Sequence, residues 1–320
     1  MKRILFVGYR DPYHSSAGGY DKITNYPGAD VLLDIDVPFG FIPMHQRGKV
    51  INTICLDIIA RSRKDKYDII HYFYGDMLLF PFHKVGGGKV VATIHMDLNQ
   101  RVKLANEFIK TLQSLDGVIS LSSKQKEELK RFGINSTFIP HGFNEPIFIK
   151  KDMKLDKDKI NIVISGSNYR DEETMLSAIN YCKENKPEVY FHLLGQSTIV
   201  KNRLLGYINS HCYPRLSDDE YYSLMSSCDY NFLPLTFATA NNALLEAEFL
   251  GLRSILPKIP GIEDYAASEP INIFYSSNED IERLFDELKK EVESKELKDY
   301  ARRFLWSNIY PQLEIFFNSL

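Results

Sequence analysis

The sequence predicts an α/β fold with two doubly wound, parallel-sheet domains that face a cleft. Apolar runs at residues 4–8, 89–95 and 160–164 are typical of strands that are buried on both faces. Helical stretches separate these strands, as they do in doubly wound sheets. Residues 149–159 are rich in charge and poor in apolar side chains, and the alternation of strands and helices begins again after this linker.

The length of 320 residues also favours two domains, because one hydrophobic core rarely extends over so long a chain. We predict an N-terminal domain over residues 1–148 and a C-terminal domain over residues 149–302. The last segment, residues 297–320, is predicted to be helical and carries Trp306, the only tryptophan.

The predicted elements follow from hydrophobic periodicity and from cap and turn residues. In the first domain we expect strands at 4–8, 31–37, 67–74, 89–95, 117–121 and 136–140, and helices from 20 onward, at 49–62, 100–115 and 122–132. In the second domain we expect strands at 160–164, 189–194, 230–235, 252–256 and near 271–275. Helices are expected at 172–185, after Ser217, from Asn241, at 278–293 and at 297–320, with a further short element at 203–210.

Composition and charge exclude several classes of function. The formal net charge of −3 gives no basic excess of the kind that nucleic-acid binding requires. The four cysteines form no C-x-x-C pair, so zinc and redox motifs find no support, and no dinucleotide fingerprint follows any strand. The apolar part of the N-terminus is too short for a signal peptide, and no stretch approaches a membrane span. We therefore expect a cytoplasmic protein with reduced cysteines.

Residues 236–251 form a loop that turns into a helix between two strands, and ligands of open α/β sheets bind at such strand ends. Asn241 and Asn242 are good N-cap residues, and the N–H groups of the helix start suit an anion such as a nucleotide diphosphate. Glu246 lies about one turn further on, where its carboxylate can accept hydrogen bonds from two ribose hydroxyls. An ordinary capped helix with a solvated Glu246 is the alternative. The ligand interpretation requires a carboxylate that is open to the cleft and not sealed in the interior.

Two further candidates follow strands of the first domain. Gly18 and Gly19 come after the first strand and let the backbone approach a ligand closely, although a plain turn is the alternative. His95 stands at the carboxyl end of strand 89–95, the right position for a ligand contact. A lone histidine is nevertheless often only a hydrogen-bonded core residue.

Arg170 follows the first strand of the second domain. The family resemblance described below implies a diphosphate leaving group, whose developing negative charge a fixed cation such as Arg170 stabilises. A surface ion pair with Asp171 or Glu172 is the alternative.

These segments, taken in order, resemble retaining glycosyltransferases of the GT-B fold, in particular the group 1 or family 4-like enzymes that use nucleotide sugars. The matching segments are Gly18-Gly19, Thr93-Ile94-His95 followed by Asp97, Ser122-Ser123 with Ile139-Pro140-His141-Gly142, Leu216 to Glu220, and Ala243 to Ala247 with Gly251. They extend over most of the chain, and their order and spacing carry the resemblance.

The resemblance implies two Rossmann-like domains, of which the N-terminal one lies on the acceptor side and the C-terminal one binds the nucleotide-sugar donor. It also implies that the helix at about 303–320 packs back on the N-terminal domain. The implied reaction moves a sugar with retention to a glycan or lipid-linked acceptor, as in surface polysaccharide synthesis, and needs no metal or other cofactor. A lipid-linked acceptor implies peripheral contact with the inner membrane face, for which the basic helix at 124–131 is a candidate; a solvated helix face is the alternative.

The resemblance also assigns the site residues. His95 and Arg170 are implied as catalytic, through contact with the donor sugar and with the leaving diphosphate. The donor-binding candidates are Gly18, Gly19, Arg170, Thr239, Asn241, Asn242, Ala243, Leu244 and Glu246. The base-pocket candidates are Tyr213, Arg215 and Leu216, and the acceptor-side candidates are His14, Asp97 and His141. A helix N-cap is the alternative for Asp97, and a structural role is the alternative for His141.

The chain departs from the family pattern at one motif position. Ala238 stands where the family has the first glutamate of a pair whose second member matches Glu246. This departure is consistent with a different donor, with a role taken over by Thr236, Thr239 or Asn241, or with a weakened enzyme. A non-catalytic relative that binds a nucleotide or glycan, and a nucleotide-sugar epimerase of the same fold, are the alternative functions.

Overall fold

A computed structural model describes residues 2–10, 14–37, 48–77, 87–96, 105–290 and 294–320. Contacts within the chain divide it into two compact units. Unit 1 combines Met1–His14, Gly19–Phe143 and Phe304–Leu320, and unit 2 combines Ser15–Gly18 with Asn144–Arg303. The assignment of an acceptor-side domain and a donor-binding domain stays a prediction.

The strands of the described residues have three to six residues each. In chain order they are β1 (Ile4–Gly8), β2 (Asp30–Leu33), β3 (Ile69–Tyr72), β4 (Lys89–Ile94), β5 (Gly117–Ser120), β6 (Ser136–Phe138), β7 (Ile160–Ser165), β8 (Val189–Leu194), β9 (Ser210–Cys212), β10 (Tyr230–Phe232), β11 (Arg253–Pro257) and β12 (Ile273–Tyr275).

The α-helices alternate with these strands. In chain order they are α1 (Gly48–Ser62), α2 (Ala105–Gln113), α3 (Ser123–Arg131), α4 (Glu172–Asn185), α5 (Thr198–Arg203), α6 (Asp218–Met225), α7 (Asn242–Phe249), α8 (Asn278–Glu287), α9 (Lys295–Ala301) and α10 (Trp306–Ser319).

Unit 1 contains a six-stranded parallel sheet in the order β2-β1-β3-β4-β5-β6. All five residues of β1 are buried, as expected for a strand that is covered on both faces. Leu5 and Val7 belong to one apolar cluster, whereas Ile4 and Phe6 belong to another. The alternation places one core on each face of the sheet.

Unit 2 contains a second six-stranded parallel sheet, in the order β12-β11-β10-β7-β8-β9. Strand β7 is buried along its whole length. Ile162 and Ile164 face one apolar cluster, and Val163 faces the other. The prediction of two doubly wound, parallel-sheet α/β domains is therefore confirmed.

Cap residues explain where several helices begin. They also explain why one observed helix has other bounds than the predicted element. Helix α4 has the predicted bounds, and Ser217 caps α6 in a capping box with Glu220, as expected. The element predicted at 203–210 is wrong in its bounds, because α5 begins earlier, where the Ser197 side chain accepts from the N–H of Val200. The residues that follow α5 lead into the edge strand β9, which the prediction lacked.

The predicted helix at 297–320 is interrupted. A 3-10 turn, Arg302–Phe304, and an extended Leu305 separate α9 from α10. Phe143 causes the break: its N–H donates to the carbonyl of Phe304 at 3.0 Å, and its carbonyl accepts from the N–H of Trp306 at 3.0 Å. Helix α10 packs in unit 1, where Trp306 joins the apolar cluster that contains Phe6.

Two smaller differences concern strand ends. The predicted strand 31–37 stops early, because the Asp36 carboxylate accepts from the N–H of Leu33 at 2.8 Å and closes a 3-10 turn, Asp34–Asp36. Strand β10 ends at Phe232 and not at residue 235.

None of the helices that the structure describes has both the length and the apolar run that are needed to cross a lipid bilayer.

Candidate functional site

The loops that follow β7 and β10 lie side by side at the carboxyl edge of the sheet in unit 2. These strands are neighbours, and Arg170 forms an isolated bridge with Leu235. The N–H of Asp171 donates to the carbonyl of Pro234 at 2.8 Å. Two segments that the sequence predicted to bind the donor are thus brought together at the sheet edge where ligands of this fold bind.

Main-chain carbonyl groups hold the guanidinium of Arg170. Its Nε and Nη2 donate to the carbonyl of Ser165, and its Nη1 donates to the carbonyl of Asn168 at 3.1 Å. Burial lowers the pKa of Arg170 to about 10, with Tyr221 and Tyr275 acting in the opposite direction. The side chain therefore keeps its charge at neutral pH and forms a fixed cation at the end of β7.

The alternative ion pair for Arg170 is wrong. Asp171 is the N-cap of α4 and accepts from the N–H of Thr174 at 3.0 Å. Glu172 accepts from the hydroxyl of Ser197 at 3.1 Å. Over the ranges that the structure describes, neither carboxylate pairs with the Arg170 guanidinium.

Helix α7 begins where the sequence predicts. Asn241 is its N-cap, and its side-chain oxygen accepts from the N–H of Leu244 at 3.1 Å. This bond occupies the amide of Leu244, which was one of the donor-binding candidates. Among the described residues, the N–H groups of Asn242 and Ala243 have no hydrogen-bond acceptor, so they are the donors that an anion can use.

The loop before α7 is tightly packed at the position of the missing glutamate. Ala238 and Thr239 are buried, with 6% and 7% of their surfaces exposed. A Cβ at Gly261, whose φ is 92°, would lie 2.0 Å from the carbonyl oxygen of Ala238. Thr236 donates to the carbonyl of Tyr169 at 3.2 Å. Because its oxygen caps the helix, Asn241 is poorly placed to replace the family glutamate.

Among the candidate residues, Glu246 has the environment that differs most from the prediction. Only 2% of it is exposed, so the alternative of a solvated Glu246 is wrong. Its carboxylate accepts hydrogen bonds from the hydroxyl of Ser15, from that of Tyr221 at 2.8 Å and from that of Tyr222 at 3.1 Å. The open carboxylate that the ligand interpretation required is therefore not present in this structure. The oxygens that would receive ribose hydroxyls receive hydroxyls of the protein.

Tyr221 and Tyr222 are protonated donors. Burial raises the pKa of each phenol, and the charge of Glu246 acts in the same direction. Both rings stand on α6, and their centroids are 5.0 Å apart.

Gly18 and Gly19 approach side chains of the protein itself. A Cβ at Gly18 would lie 2.7 Å from Oε1 of Glu246, and one at Gly19, whose φ is 97°, would lie 2.3 Å from Nδ1 of His14. The N–H of Gly18 donates to the hydroxyl of Ser15 at 2.9 Å. Close packing thus requires these glycines, and their contact with a ligand stays a prediction.

The base-pocket candidates follow β9. The hydroxyl of Tyr213 donates to Nδ1 of His192 at 3.0 Å, because Nε2 of this ring donates to the side-chain oxygen of Asn161 at 2.9 Å. Burial lowers the pKa of His192 to about 4, so the ring is neutral. Arg215 is exposed, and Leu216 is half-buried against an apolar cluster. Their role in base binding stays a prediction.

In unit 1, His95 follows β4 and is half-buried. Its Nε2 donates to the carbonyl of Phe73 at 2.8 Å, and its N–H donates to the carboxylate of Asp76 at 2.7 Å. Burial lowers the pKa of His95, and Asp76 acts in the opposite direction. The ring of Tyr74 lies 4.7 Å away, centroid to centroid. His95 is thus a neutral, well-fixed imidazole at the edge of the sheet.

The acceptor-side candidates have different environments. Nδ1 of the half-buried His14 lies 3.6 Å from a carboxylate oxygen of Asp21. His141 is only 5% exposed and packs on Tyr20 at 5.0 Å, and burial lowers its pKa to about 3. Its burial favours the structural alternative. Asp97 lies outside the described residues.

Sequence reasoning missed the three hydroxyl groups that surround Glu246. Ser15 is 231 positions away in the sequence, and Tyr221 is 25 positions away. No local spacing relates such residues. The only partial signal is the position of Ser15 in the loop that also contains Gly18 and Gly19.

Comparison with known proteins gives one partial family match. Residues 22–145 match the family model of Glycosyltransferase Family 4. The whole chain has the fold of GT-B glycosyltransferases, and the resemblance found in the sequence is confirmed at this level. A comparison with curated protein sequences finds no match.

Three solved structures illustrate the similarity in fold. Sucrose-phosphate synthase from Thermosynechococcus elongatus is 16% identical with a TM-score of 0.73, and the alignment covers 99% of each chain. HepE from Anabaena in complex with UDP-glucose is 15% identical with a TM-score of 0.71, over 100% of each chain. The catalytic domain of starch synthase IV from Arabidopsis thaliana, bound to ADP and acarbose, is 11% identical with a TM-score of 0.73, over 99% of each chain. At these identities the likeness shows the fold alone.

Proposed function

We propose that the chain is a glycosyltransferase that moves a sugar, with retention, from a nucleotide-diphosphate sugar to a glycan or lipid-linked acceptor. The observation that carries the proposal is the cation of Arg170 at the end of β7, next to the loop that leads into the helix start at Asn242. The family match over residues 22–145 and the complex of the similarly folded HepE with UDP-glucose support a nucleotide-sugar donor.

The arrangement suits a departing diphosphate. As the bond between the sugar and the phosphate breaks, negative charge develops on the phosphate oxygens. Arg170 keeps its proton at neutral pH, and the N–H groups of Asn242 and Ala243 are fixed by the helix. Such preorganised donors stabilise the transition state, and the loss of one typically lowers the rate about 10²–10³-fold.

Retention requires no protein base in the proposed mechanism. The leaving phosphate accepts the proton of the acceptor hydroxyl on the same face of the sugar, and no metal takes part. A neutral imidazole at His95 can hydrogen-bond a hydroxyl of the donor sugar.

We propose that unit 1 binds the acceptor and that the protein works in the cytoplasm, in surface polysaccharide synthesis. A lipid-linked acceptor would require peripheral contact with the inner membrane face. Helix α3, whose last turn carries Lys130 and Arg131, supports this contact through attraction to anionic headgroups.

A donor-binding assay with one variant pair tests the proposal. The wild-type chain should be stabilised against heat by one of the UDP-, GDP- or TDP-sugars and should transfer or hydrolyse its sugar. Glu246→Ala should abolish the stabilisation, because the carboxylate is proposed to receive the ribose hydroxyls. Glu184→Ala changes an exposed glutamate of the same unit and should behave as wild type. If a nucleotide sugar stabilises Glu246→Ala against heat as much as it stabilises wild type, the donor site is wrongly assigned.

A second function is favoured by Ala238. The family glutamate is absent there, and Ala238 is buried, with its carbonyl oxygen packed against the backbone of Gly261. A non-catalytic nucleotide- or glycan-binding protein would bind a donor without turnover with any acceptor. A nucleotide-sugar epimerase would release the epimeric sugar or nucleotide sugar in the absence of an acceptor, which product analysis would detect.

A further inference from the structure

We propose that the Ser15 hydroxyl is a place-holder on Glu246, which a ribose hydroxyl of the nucleotide displaces, and that this displacement frees the turn Ser15–Gly18. The inference rests on the proposed function, because it takes ribose as the ligand of Glu246. It adds Ser15 to the binding site and explains how a carboxylate that is 2% exposed can receive a ligand.

The carboxylate of Glu246 has no room for a diol in the free protein. Oε1 accepts from Ser15 and Tyr222, and Oε2 accepts from Tyr221. The backbone of Gly18 closes the remaining side, since even a Cβ there would lie 2.7 Å from Oε1. A carboxylate has about four acceptor positions, so a ligand diol, which needs two of them, must replace at least one of the three protein hydroxyls.

The two tyrosines are the harder groups to move. Tyr222 is fully buried, and its ring lies 5.4 Å from that of Phe148. Both tyrosines stand on α6, which the capping box of Ser217 and Glu220 fixes at its start. Displacement of either phenol would require the helix to move or a buried ring to turn.

Ser15 needs the smallest movement to leave Glu246, although its hydroxyl also accepts from the N–H of Gly18 at 2.9 Å and contacts the hydroxyl of Tyr222. Ser15 is half-buried, and rotation about one side-chain bond removes its hydroxyl from Glu246. The turn that carries it makes few other polar contacts, among them Ser16 N–H to the carboxylate of Asp218 at 2.8 Å and Asn144 N–H to the carbonyl of Ala17 at 2.9 Å. Ser15 is therefore the group that a ligand displaces.

The exchange replaces one hydroxyl donor with another of the same chemical type. An aliphatic hydroxyl of the protein gives way to an aliphatic hydroxyl of ribose, so the buried carboxylate keeps its hydrogen bonds throughout. The N–H of Gly18 loses its acceptor when Ser15 turns away, because the two are bonded at 2.9 Å. Nucleotide binding is thus coupled to opening of the turn, and the competition weakens the apparent affinity of the wild-type chain.

Calorimetric titration with UDP and GDP tests this inference. Ser15→Ala removes the competing hydroxyl and should bind the nucleotide about tenfold more tightly than wild type, as expected for the loss of one bond to a charged group. Ser16→Ala is the matched control, since the Ser16 side chain is exposed and only its backbone bonds to Asp218. Its affinity should equal that of wild type. Unchanged or weaker binding by Ser15→Ala overturns the inference.

A double-mutant cycle separates this inference from the proposed function. The gain from Ser15→Ala should vanish in the background of Glu246→Gln, and a gain that persists there overturns the place-holder role. If the wild-type chain binds neither nucleotide, or if Glu246→Gln binds as tightly as wild type, the proposed donor site fails. If Glu246→Gln weakens nucleotide binding but Ser15→Ala does not change it, the proposed donor site is supported and the proposed role of Ser15 is wrong.

Hydrogen exchange of the wild-type chain provides a readout without mutation. The amide of Gly18 should exchange faster with saturating nucleotide than without it, because it loses the Ser15 acceptor. Slower exchange at Gly18 on nucleotide binding overturns the inference.

Discussion

At the scale of single residues, α7 carries two buried carboxylates with different environments. Three hydroxyls surround Glu246, whereas Glu248 accepts from the N–H of Ala267 at 2.9 Å and from the side-chain amide of Asn272. Among the described residues, Oε2 of Glu248 has no hydrogen-bond partner. Burial raises the pKa of Glu248 to about 7, although the two hydrogen bonds and the charge of Arg303 oppose the shift.

We predict that Glu248 makes stability depend on pH near neutrality. Its pKa in the folded state lies above the ordinary 4.5, so its stabilising contribution is complete below about pH 4.5 and is lost as pH rises through about 7. The full difference corresponds to about 3 kcal/mol. Glu248→Gln carries no charge and should lose less unfolding free energy than wild type between about pH 4.5 and 7, as measured by urea denaturation.

Exposed Glu282 on α8 provides the matched control for this experiment. Glu282→Gln should keep the wild-type dependence on pH. If plots of unfolding free energy against pH are parallel for wild type and Glu248→Gln, the buried carboxyl does not titrate in this range.

At the scale of elements, the start of α7 combines a stability role with a proposed binding role. Asn241 caps the helix by accepting from the N–H of Leu244, and the free amides of the first turn belong to Asn242 and Ala243. A cap is a local interaction, whereas the attraction between a helix start and an anion depends on charge. The two roles can therefore be separated by the choice of substitution.

We predict that Asn241→Ala lowers the free energy of unfolding by about 1 kcal/mol, because the cap is lost. Asn241→Asp should retain most of the stability, since aspartate caps equally well, but should weaken UDP binding about tenfold through repulsion of the diphosphate. Thermal unfolding and calorimetric titration measure the two effects.

Ser277, the N-cap of α8 in the same unit, serves as the control for added charge. Ser277→Asp should leave UDP affinity unchanged. Wild-type affinity in Asn241→Asp would argue against a diphosphate at the start of α7.

At the scale of the whole molecule, α10 belongs to unit 1 although it follows unit 2 in the sequence. Trp306 lies in the apolar cluster of unit 1, and a Cβ at Gly142 would lie 2.4 Å from its ring. Because the chain has one tryptophan, its fluorescence reports on unit 1 alone. Unfolding of unit 1 can thus be followed in the intact chain.

We predict that Leu313→Ala destabilises unit 1 by about 2–5 kcal/mol, because Leu313 is fully buried and the substitution leaves a cavity. Ile315→Ala, on the same helix but 72% exposed, should change the stability by less than about 0.5 kcal/mol. Denaturation followed by Trp306 fluorescence measures both. Equal effects of the two substitutions would contradict the packing of α10 described above.

Local signals made much of the fold predictable. Buried apolar runs indicated parallel strands, and cap residues located helix starts at Ser122, Ser217 and Asn241. These features depend on neighbours in the sequence, which propensity and capping describe well. The break at Leu305 was not predictable, because it results from pairing with distant Phe143.

The sequence by itself determined the two parallel sheets and the order of segments that resembles family 4 glycosyltransferases. Only the tertiary structure decided the state of Glu246. Its spacing along α7 indicates a ligand-facing carboxylate, but the hydroxyls of Ser15, Tyr221 and Tyr222 occupy it. The physical reason is that secondary structure depends on nearby residues, whereas burial and hydrogen bonding of a side chain depend on groups that only folding brings together.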